Sequence, residues 1–430
     1  MNDKNVIKSI IKEYSQKDIT LNERNISLPT TNKALAVVGI RRSGKTSILM
    51  KLFKETKDAI FFPLDDDRIF PVTLETLREI VKVSKEMYPN NKITFFFDEI
   101  QEIDNFELIV KRLVEKEEYK VYLTGSSSKL LSKEIATQLR GRSLTVEVFP
   151  LSFKEYLEFK GIKGINKTNT EFDVLTEQEH ATIIYHLENY LNYGGFPEVV
   201  LEEENRDDIL KNYLDMVIYK DIVERYGVKN TDSLRLFLKF LINSNTKKVS
   251  INKLANTFKS MGVKVSKNTL YEYLSHLNDS YVIFPLKKYS HNLKESSLSL
   301  MKSYIIDNGF INIYDFKNSP DSGKYLENAV FLELRRRGLV ENQNIFYYED
   351  NIGEVDFLVK RNEHISKLIN VCYDLNMDNY DIEIKKLVKI GKKVKCDELY
   401  LITFDQEDEI NEDGFIVKLI PFWKLCDIEI

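Results

Sequence analysis

Apolar positions along this chain come in two patterns. In the first third they form short unbroken blocks: "ALAVVGI" at 34–40, "DAIFFPL" at 58–64, "ITFFFDE" at 93–99, "KVYLTG" at 120–125 and "LTVEVF" at 144–149. Blocks of this length, rich in β-branched and aromatic residues, predict strands covered on both faces, as in a parallel sheet. Between them, apolar residues recur at helical spacing, first in "KTSILMKLFKET" and then near 72–86 and 106–117. Strand alternating with helix predicts an α/β layer.

The pattern then changes. Residues 151–228 carry helical spacing interrupted by "NYGGFPEV", where Gly194, Gly195 and Pro197 predict a turn. "DSLRLFLKFLINS", "SINKLANTFKS" and "SKNTLYEYLSHLNDS" predict three helices, followed by an apolar strand with a basic tip at Lys287 and Lys288. Three helices and a hairpin suggest a winged helix-turn-helix, with Lys264, Lys267, Asn268 and Thr269 opening its recognition helix. Glu272 and Asp279 on that helix would repel phosphate. DNA contact and a protein-docking or packing role therefore stand as two open readings. Further on, "GKYLENAVFLELRRRG" predicts an amphipathic helix. Strands "NIFYYED", "GEVDFLVK" and "SKLINVCYDL", a helix near 379–391 and strand "ELYLITF" follow. The arginine run at 335–337 reads as a solvated helix end favoured by the helix dipole.

Composition narrows the classes. With 430 residues, 43% apolar and 30% charged, the chain is of globular composition and long enough for two or three domains. A net charge of only −5 gives no global field toward nucleic acid, so such contact needs a local patch. Cys372, Cys396 and Cys426 are too scattered for a disulfide framework or a zinc pair, and read as reduced, mostly buried thiols. The opening "MNDKNVIKSIIKEYSQKD" has no apolar signal core, and no apolar run approaches the ~18 residues of a membrane span. The expected location is the cytoplasm.

The candidate chemistry sits where the first blocks end. Gly39, Gly44, Lys45 and Thr46 fit G-x-x-x-x-G-K-[ST] between a strand and a helix, the context a phosphate loop needs. Backbone N–H groups of such a loop curl around phosphate oxygens at the helix N-terminus. Gly39, Arg41, Arg42, Ser43, Gly44, Lys45, Thr46 and Ser47 are the candidate nucleotide-binding residues. Lys45 would reach the β- and γ-phosphates, and Thr46 would hold Mg²⁺. Asp98 at the end of "ITFFFD" is the second expected magnesium residue, and Glu99 beside it the general base. Ser126, with Thr124 in reserve, is the candidate γ-phosphate sensor; a serine-rich turn capping a helix is the alternative. Arg140 and Arg142 are candidates to meet transition-state charge, in cis or across a subunit boundary.

"GIRRSGKTS", "FFFDEIQEID", "YLTGSSSKLL", "LRGRS" and "FPLSFKEYL" resemble an archaeal and bacterial AAA+-type ATPase family with a C-terminal DUF4143 domain. "YLNYGGFPEVV", "SYIIDNGF", "GKYLENAVFLELRRRG" and "GEVDFLV" follow in the family's order, so the resemblance spans roughly 20–425. It implies an α/β protein: an ASCE-type P-loop parallel-sheet core at 1–150, a helical lid at 151–228, a winged-helix-like domain at 229–300 and a nuclease-like α/β domain at 301–430. It also implies ATP rather than GTP. The last domain resembles the PD-(D/E)xK nuclease fold. Glu327 and Asp356 match its first two acidic positions, but Asn370 and Cys372 stand where an acid and a lysine are needed, with Asp374 as a stray carboxylate on the same strand face. That departure argues against DNA cleavage. The expected function is a Mg²⁺-dependent ATPase coupling nucleotide state to conformational change, with duplex DNA, a protein partner or a second copy as candidate partners. The alternatives are a signalling-type switch that docks a protein and, further off, an ATP-gated nuclease.

Overall fold

The computed structural model describes residues 4–18, 22–89, 91–116, 118–126, 139, 141–162, 175–290, 292, 299–314 and 322–426. By internal packing the chain divides into two units, Met1–Val148 with Asp279–Tyr281, and Phe149–Asn278 with Val282–Ile430.

The first unit is a five-stranded parallel sheet in the order β2-β3-β4-β1-β5. Its strands are β1 (Ala34–Val38), β2 (Ala59–Pro63), β3 (Ile93–Asp98), β4 (Tyr119–Gly125) and β5 (Ser143–Glu147). The helices are α1 (Lys4–Gln16), α2 (Lys45–Glu55), α3 (Leu74–Met87) and α4 (Glu107–Glu115). Every residue of β1 and β3 is buried, the expected result for strands with helices on both faces. Phe96 packs with Phe53 of α2 and stacks on Tyr122, while Phe95 and Phe97 stack on each other and Phe95 meets Tyr119. Each such ring contributes about 1.5–3 kcal/mol of burial. β4 lies between β1 and β3, so the strand that ends in the glycine loop and the strand that ends in Asp98 flank one shared neighbour.

The second unit opens with α5 (Phe153–Phe159), α6 (Glu177–Tyr193), α7 (Pro197–Leu201) and α8 (Arg206–Met216), which runs on as a wider turn to Glu224. Gly194 ends α6 at φ +76°, and the side chain of Asp307 fills the space a Cβ there would need. α9 (Thr231–Asn243), α10 (Ile251–Ser260) and α11 (Lys267–Asp279) come next with a three-stranded sheet β6-β8-β7. Its strands are Lys248–Val249, Met301–Ile305 and Ile283–Lys287 respectively. α12 (Asn308–Tyr314) and α13 (Ser322–Arg336) lead to a six-stranded sheet, β13-β14-β12-β11-β10-β9. β9 (Ile345–Glu349), β10 (Glu354–Arg361) and β11 (His364–Val371) form an antiparallel meander. After α14 (Lys386–Val394), β12 (Leu399–Thr403) returns parallel to β11. β13 (Asp408–Glu412) and β14 (Phe415–Pro421) complete the sheet, with β14 parallel to β12.

Three sequence expectations change here. The third strand of the meander ends at Val371, so Asp374 sits in the turn beyond it and not on the strand face. The arginine run is internal rather than solvated. Arg335 is 4% exposed and pairs with Glu341 at 3.0 Å, and Arg336 donates to the carbonyls of Pro150 and Leu151. Arg337 bonds to the Leu425 carbonyl. Local charge suggested a solvated run, but carbonyls of distant segments claim these guanidinium donors. Arg142 is the third. It lies at the amino end of β5, beside Ala34, the opposite end of the sheet from the glycine loop.

Candidate nucleotide site

The loop after β1 is shaped by backbone conformations that its residue types permit. Gly39 has φ +146°, and a Cβ there would lie 2.1 Å from the Val148 carbonyl, so only glycine fits. Arg42 and Gly44 take positive φ on either side of Ser43, the kind of backbone from which anion-binding concavities are built. α2 begins directly at Lys45, adding its N-terminal dipole. The Lys45 ammonium is nearly buried, at 4% exposure, and donates to the Ile40 carbonyl at 2.9 Å. The Ser43 hydroxyl is fully buried and forms no hydrogen bond. Arg24 braces the loop from outside, donating to the Ser43 carbonyl at 2.6 Å.

Across from the loop, the Thr46 hydroxyl lies 3.1 and 3.0 Å from the two Asp98 oxygens. Asp98 is buried, and this burial, with the nearby charges of Glu99 and Asp65, pushes its carboxyl up to about 6 against the pull of hydrogen bonds from Thr124 and Thr46. A hydroxyl and a carboxylate meeting at a loop that cradles anions are hard oxygen donors suited to Mg²⁺. The buried Ser43 hydroxyl without a hydrogen bond, and the Asp98 carboxyl raised by burial and by the neighbouring acids Glu99 and Asp65, both fit a bound nucleotide and cation.

Glu99 follows Asp98 in the left-handed region, φ +53°, a conformation rare for a residue with a side chain and common at functional sites. Its N–H donates to the Thr124 hydroxyl at 2.9 Å, and its carboxylate accepts a short hydrogen bond from the Gln101 amide. Gln101 also reaches Ser126 at 3.5 Å. The fold therefore brings together Lys45, Thr46, Asp98, Glu99, Thr124 and Ser126. Of the two sensor candidates, Thr124 is the one that touches Asp98. Gln101 was not anticipated; a polar residue two positions past Glu99 was its only signal. Arg142 is not brought here, and pairs with Glu115 at 3.2 Å. Arg140 lies outside the described residues.

A second group of candidate residues meets in the C-terminal unit. Glu327 on α13 and Asp356 on β10 do converge, but on Lys302 of β8, whose ammonium lies 3.0 and 2.8 Å from their oxygens. Asn370 bonds to Glu383 and to the Asp356 N–H. Among the described residues no group of three or more His, Cys, Asp or Glu is arranged to hold a metal ion. The residues present do not fit the divalent cation of a nuclease. Cys372 is 8% exposed, and burial pushes its thiol up to about 11, which makes it inert at neutral pH. No helix among the described residues is long and apolar enough to cross a membrane.

Sheet order and loop together define a P-loop nucleotide-binding protein of the AAA type. A family model described as an AAA domain matches residues 31–157, and one described as a domain of unknown function (DUF8612) matches 184–320. The uncharacterized protein MJ1544 of Methanocaldococcus jannaschii is 40% identical over 405 residues, covering 91% of this chain and 88% of that protein. An uncharacterized protein of Haemophilus influenzae is 28% identical over 417 residues, covering 93% and 96%. The chain belongs to the family of MJ1544. Among solved structures, the Aeropyrum pernix Orc1 protein in complex with DNA matches with a TM-score of 0.30 at 10% identity, over 72% of this chain and 90% of that one. The S. cerevisiae Hsp104–ADP complex matches with a TM-score of 0.29 at 16% identity, over 64% and 39%. Neither likeness is close enough to bear on the site.

Proposed function

We propose that this protein is a Mg²⁺-dependent ATPase that uses nucleotide state to change conformation. The observation that carries the reading is the meeting of Thr46 with Asp98 at the mouth of the glycine loop, with Glu99 held beside them. Thr46 and Asp98 would hold Mg²⁺, which neutralises charge on the phosphate oxygens. Lys45 exchanges the Ile40 carbonyl for phosphate oxygen, a stronger partner for an ammonium. Glu99 accepts the proton of the attacking water, and Thr124 fixes the Asp98 carboxylate and the Glu99 backbone in one geometry. Chemistry of this kind is positioning plus electrostatics.

The C-terminal part supplies the readout. The elements from α9 to β8 have the order of a winged helix, and Lys264, Lys267 and Asn268 are exposed at the start of α11, available to duplex DNA. The elements from α13 to β12 have the order of a PD-(D/E)xK nuclease, in keeping with a DUF4143-type domain. The test is steady-state ATP hydrolysis with and without duplex DNA, beside Glu99→Gln. DNA-stimulated turnover that Glu99→Gln removes supports a DNA-coupled ATPase. Binding without turnover, indifferent to DNA, would replace it with a nucleotide-held switch that docks a protein.

A further inference from the structure

Lys302 is the most deeply buried cation of the C-terminal unit for which all three donors can be assigned. Its side chain is 3% exposed. Its ammonium meets Glu354 at 2.6 Å, Asp356 at 2.8 Å and Glu327 at 3.0 Å. An ammonium has three N–H donors and no acceptor, so one carboxylate oxygen for each donor completes its shell. The three acids come from α13 and from alternate positions of β10, and the lysine from β8 of the smaller sheet.

The surroundings fix each member. Tyr304 donates to the same Glu327 oxygen at 2.7 Å and stacks on Phe331, with ring centroids 4.2 Å apart. The second oxygen of Asp356 accepts the Val371 N–H at 3.0 Å. Glu354 is shared with Lys248 at 2.8 Å, which also reaches Glu349 at 2.7 Å. Partly removed from water and crowded together, three carboxylates need a cation among them. In a nuclease of this layout the cation is a divalent metal, and a lysine stands two residues past the third acid on the next strand. Here that strand carries Asn370 and Cys372, and the positive charge arrives from another sheet at the place where the carboxylates converge.

We propose that Lys302 is the built-in cation of this site: its ammonium takes the position of a divalent metal, excludes that metal, and pins the hairpin strand β8 to the six-stranded sheet. This inference rests on the nuclease-like reading of the C-terminal unit. It makes the unit a non-cleaving module whose acidic centre is closed by the chain itself. The positioning of β8, one arm of the winged hairpin, then depends on the same three carboxylates.

The test is a titration of the nucleotide-free full-length protein with Mn²⁺, read by the loss of the free-ion paramagnetic signal, in wild type, Lys302→Arg and Lys302→Met, each with and without Asp356→Asn. Dependence on Asp356 separates this site from the glycine loop. The expected result is no Asp356-dependent Mn²⁺ in wild type or Lys302→Arg, and one ion in Lys302→Met bound at least ~10-fold more tightly than by Lys302→Met/Asp356→Asn. Mn²⁺ bound by wild type and lost in Asp356→Asn would overturn the proposal while leaving the nuclease-like reading intact. A Lys302→Met variant that folds, by circular dichroism, and binds no Mn²⁺ would overturn both, since the carboxylates would then not be a metal's ligands. If Lys302→Met does not fold, wild type and Lys302→Arg decide: Asp356-dependent Mn²⁺ in either one refutes the proposal, and its absence in both supports it.

Discussion

The two acidic centres of this protein invite comparison. At the end of β3, Asp98 faces a threonine hydroxyl and a loop whose lysine donates to the Ile40 carbonyl. In the C-terminal unit, Glu327, Glu354 and Asp356 face an ammonium that uses all its donors on them. At the first centre Asp98 lies near two further acids, Glu99 and Asp65; at the second an ammonium already stands among the acids. Carboxylates alone do not make a metal site. What decides is whether the fold leaves the compensating cation to be supplied from outside.

The largest effect that would break this contrast is on stability. Lys302→Met takes the shared ammonium from three half-buried acids, leaving Lys248 on Glu354 alone, and should cost about 3–5 kcal/mol, read by denaturant unfolding. Turnover of the folded variant should stay within about twofold of wild type, since the lysine touches no nucleotide group. Glu99→Gln should do the reverse, lowering ATP turnover ~100-fold or more with ATP binding and unfolding midpoint nearly unchanged. Equal effects of the two substitutions on turnover would erase the distinction.

A third prediction concerns pH. Asp307 is fully enclosed, accepting the N–H groups of Gly195 and Gly309 at 2.7 and 2.8 Å. Burial pushes its carboxyl up to about 7, against the pull of those N–H groups and of Arg336. An acid whose folded pKa lies above its unfolded value holds its proton longer in the folded state. Stability therefore falls as pH rises from about 4 to about 7 and levels off beyond, by an amount on the order of 4 kcal/mol. Asp307→Asn should flatten that slope in wild-type-minus-variant unfolding curves; parallel curves would sink it. The smallest effects sharpen the nucleotide site itself. Thr124→Val removes the contact that orients Asp98 and should slow turnover about tenfold, whereas Ser126→Ala should stay within about threefold. The opposite ranking would return the sensor role to Ser126.

Much of the first centre was legible because its chemistry is local. An apolar block, two glycines and Lys45-Thr46 lie within one strand–loop–helix, and Asp98-Glu99 ends another block. Thr124 and Ser126 both lay at a strand end, and only the register of β4 against β3 shows which side chain meets Asp98. Arg142 does not reach the loop of its own chain, because its distance from the loop depends on which end of a parallel strand it occupies. The C-terminal centre was half legible. Glu327 and Asp356 were expected to converge, but Lys302 carried no signal beyond a charged residue in the apolar strand "MKSYII".

The sequence by itself determined the strand blocks, the glycine loop, the acidic strand end and the neutral Asn370 and Cys372 on the strand after Asp356. These follow from backbone preferences, hydrophobic period and side-chain chemistry, each set within a few residues. Only the tertiary structure decided that Gln101 holds Glu99, that Asp307 closes on Gly194 and Gly195, that the arginine run turns inward, and that Lys302 fills the acidic centre. Burial is the reason. A charged group removed from water must be met by whatever donor or acceptor the fold brings within about 3 Å, and that partner stands anywhere along the chain.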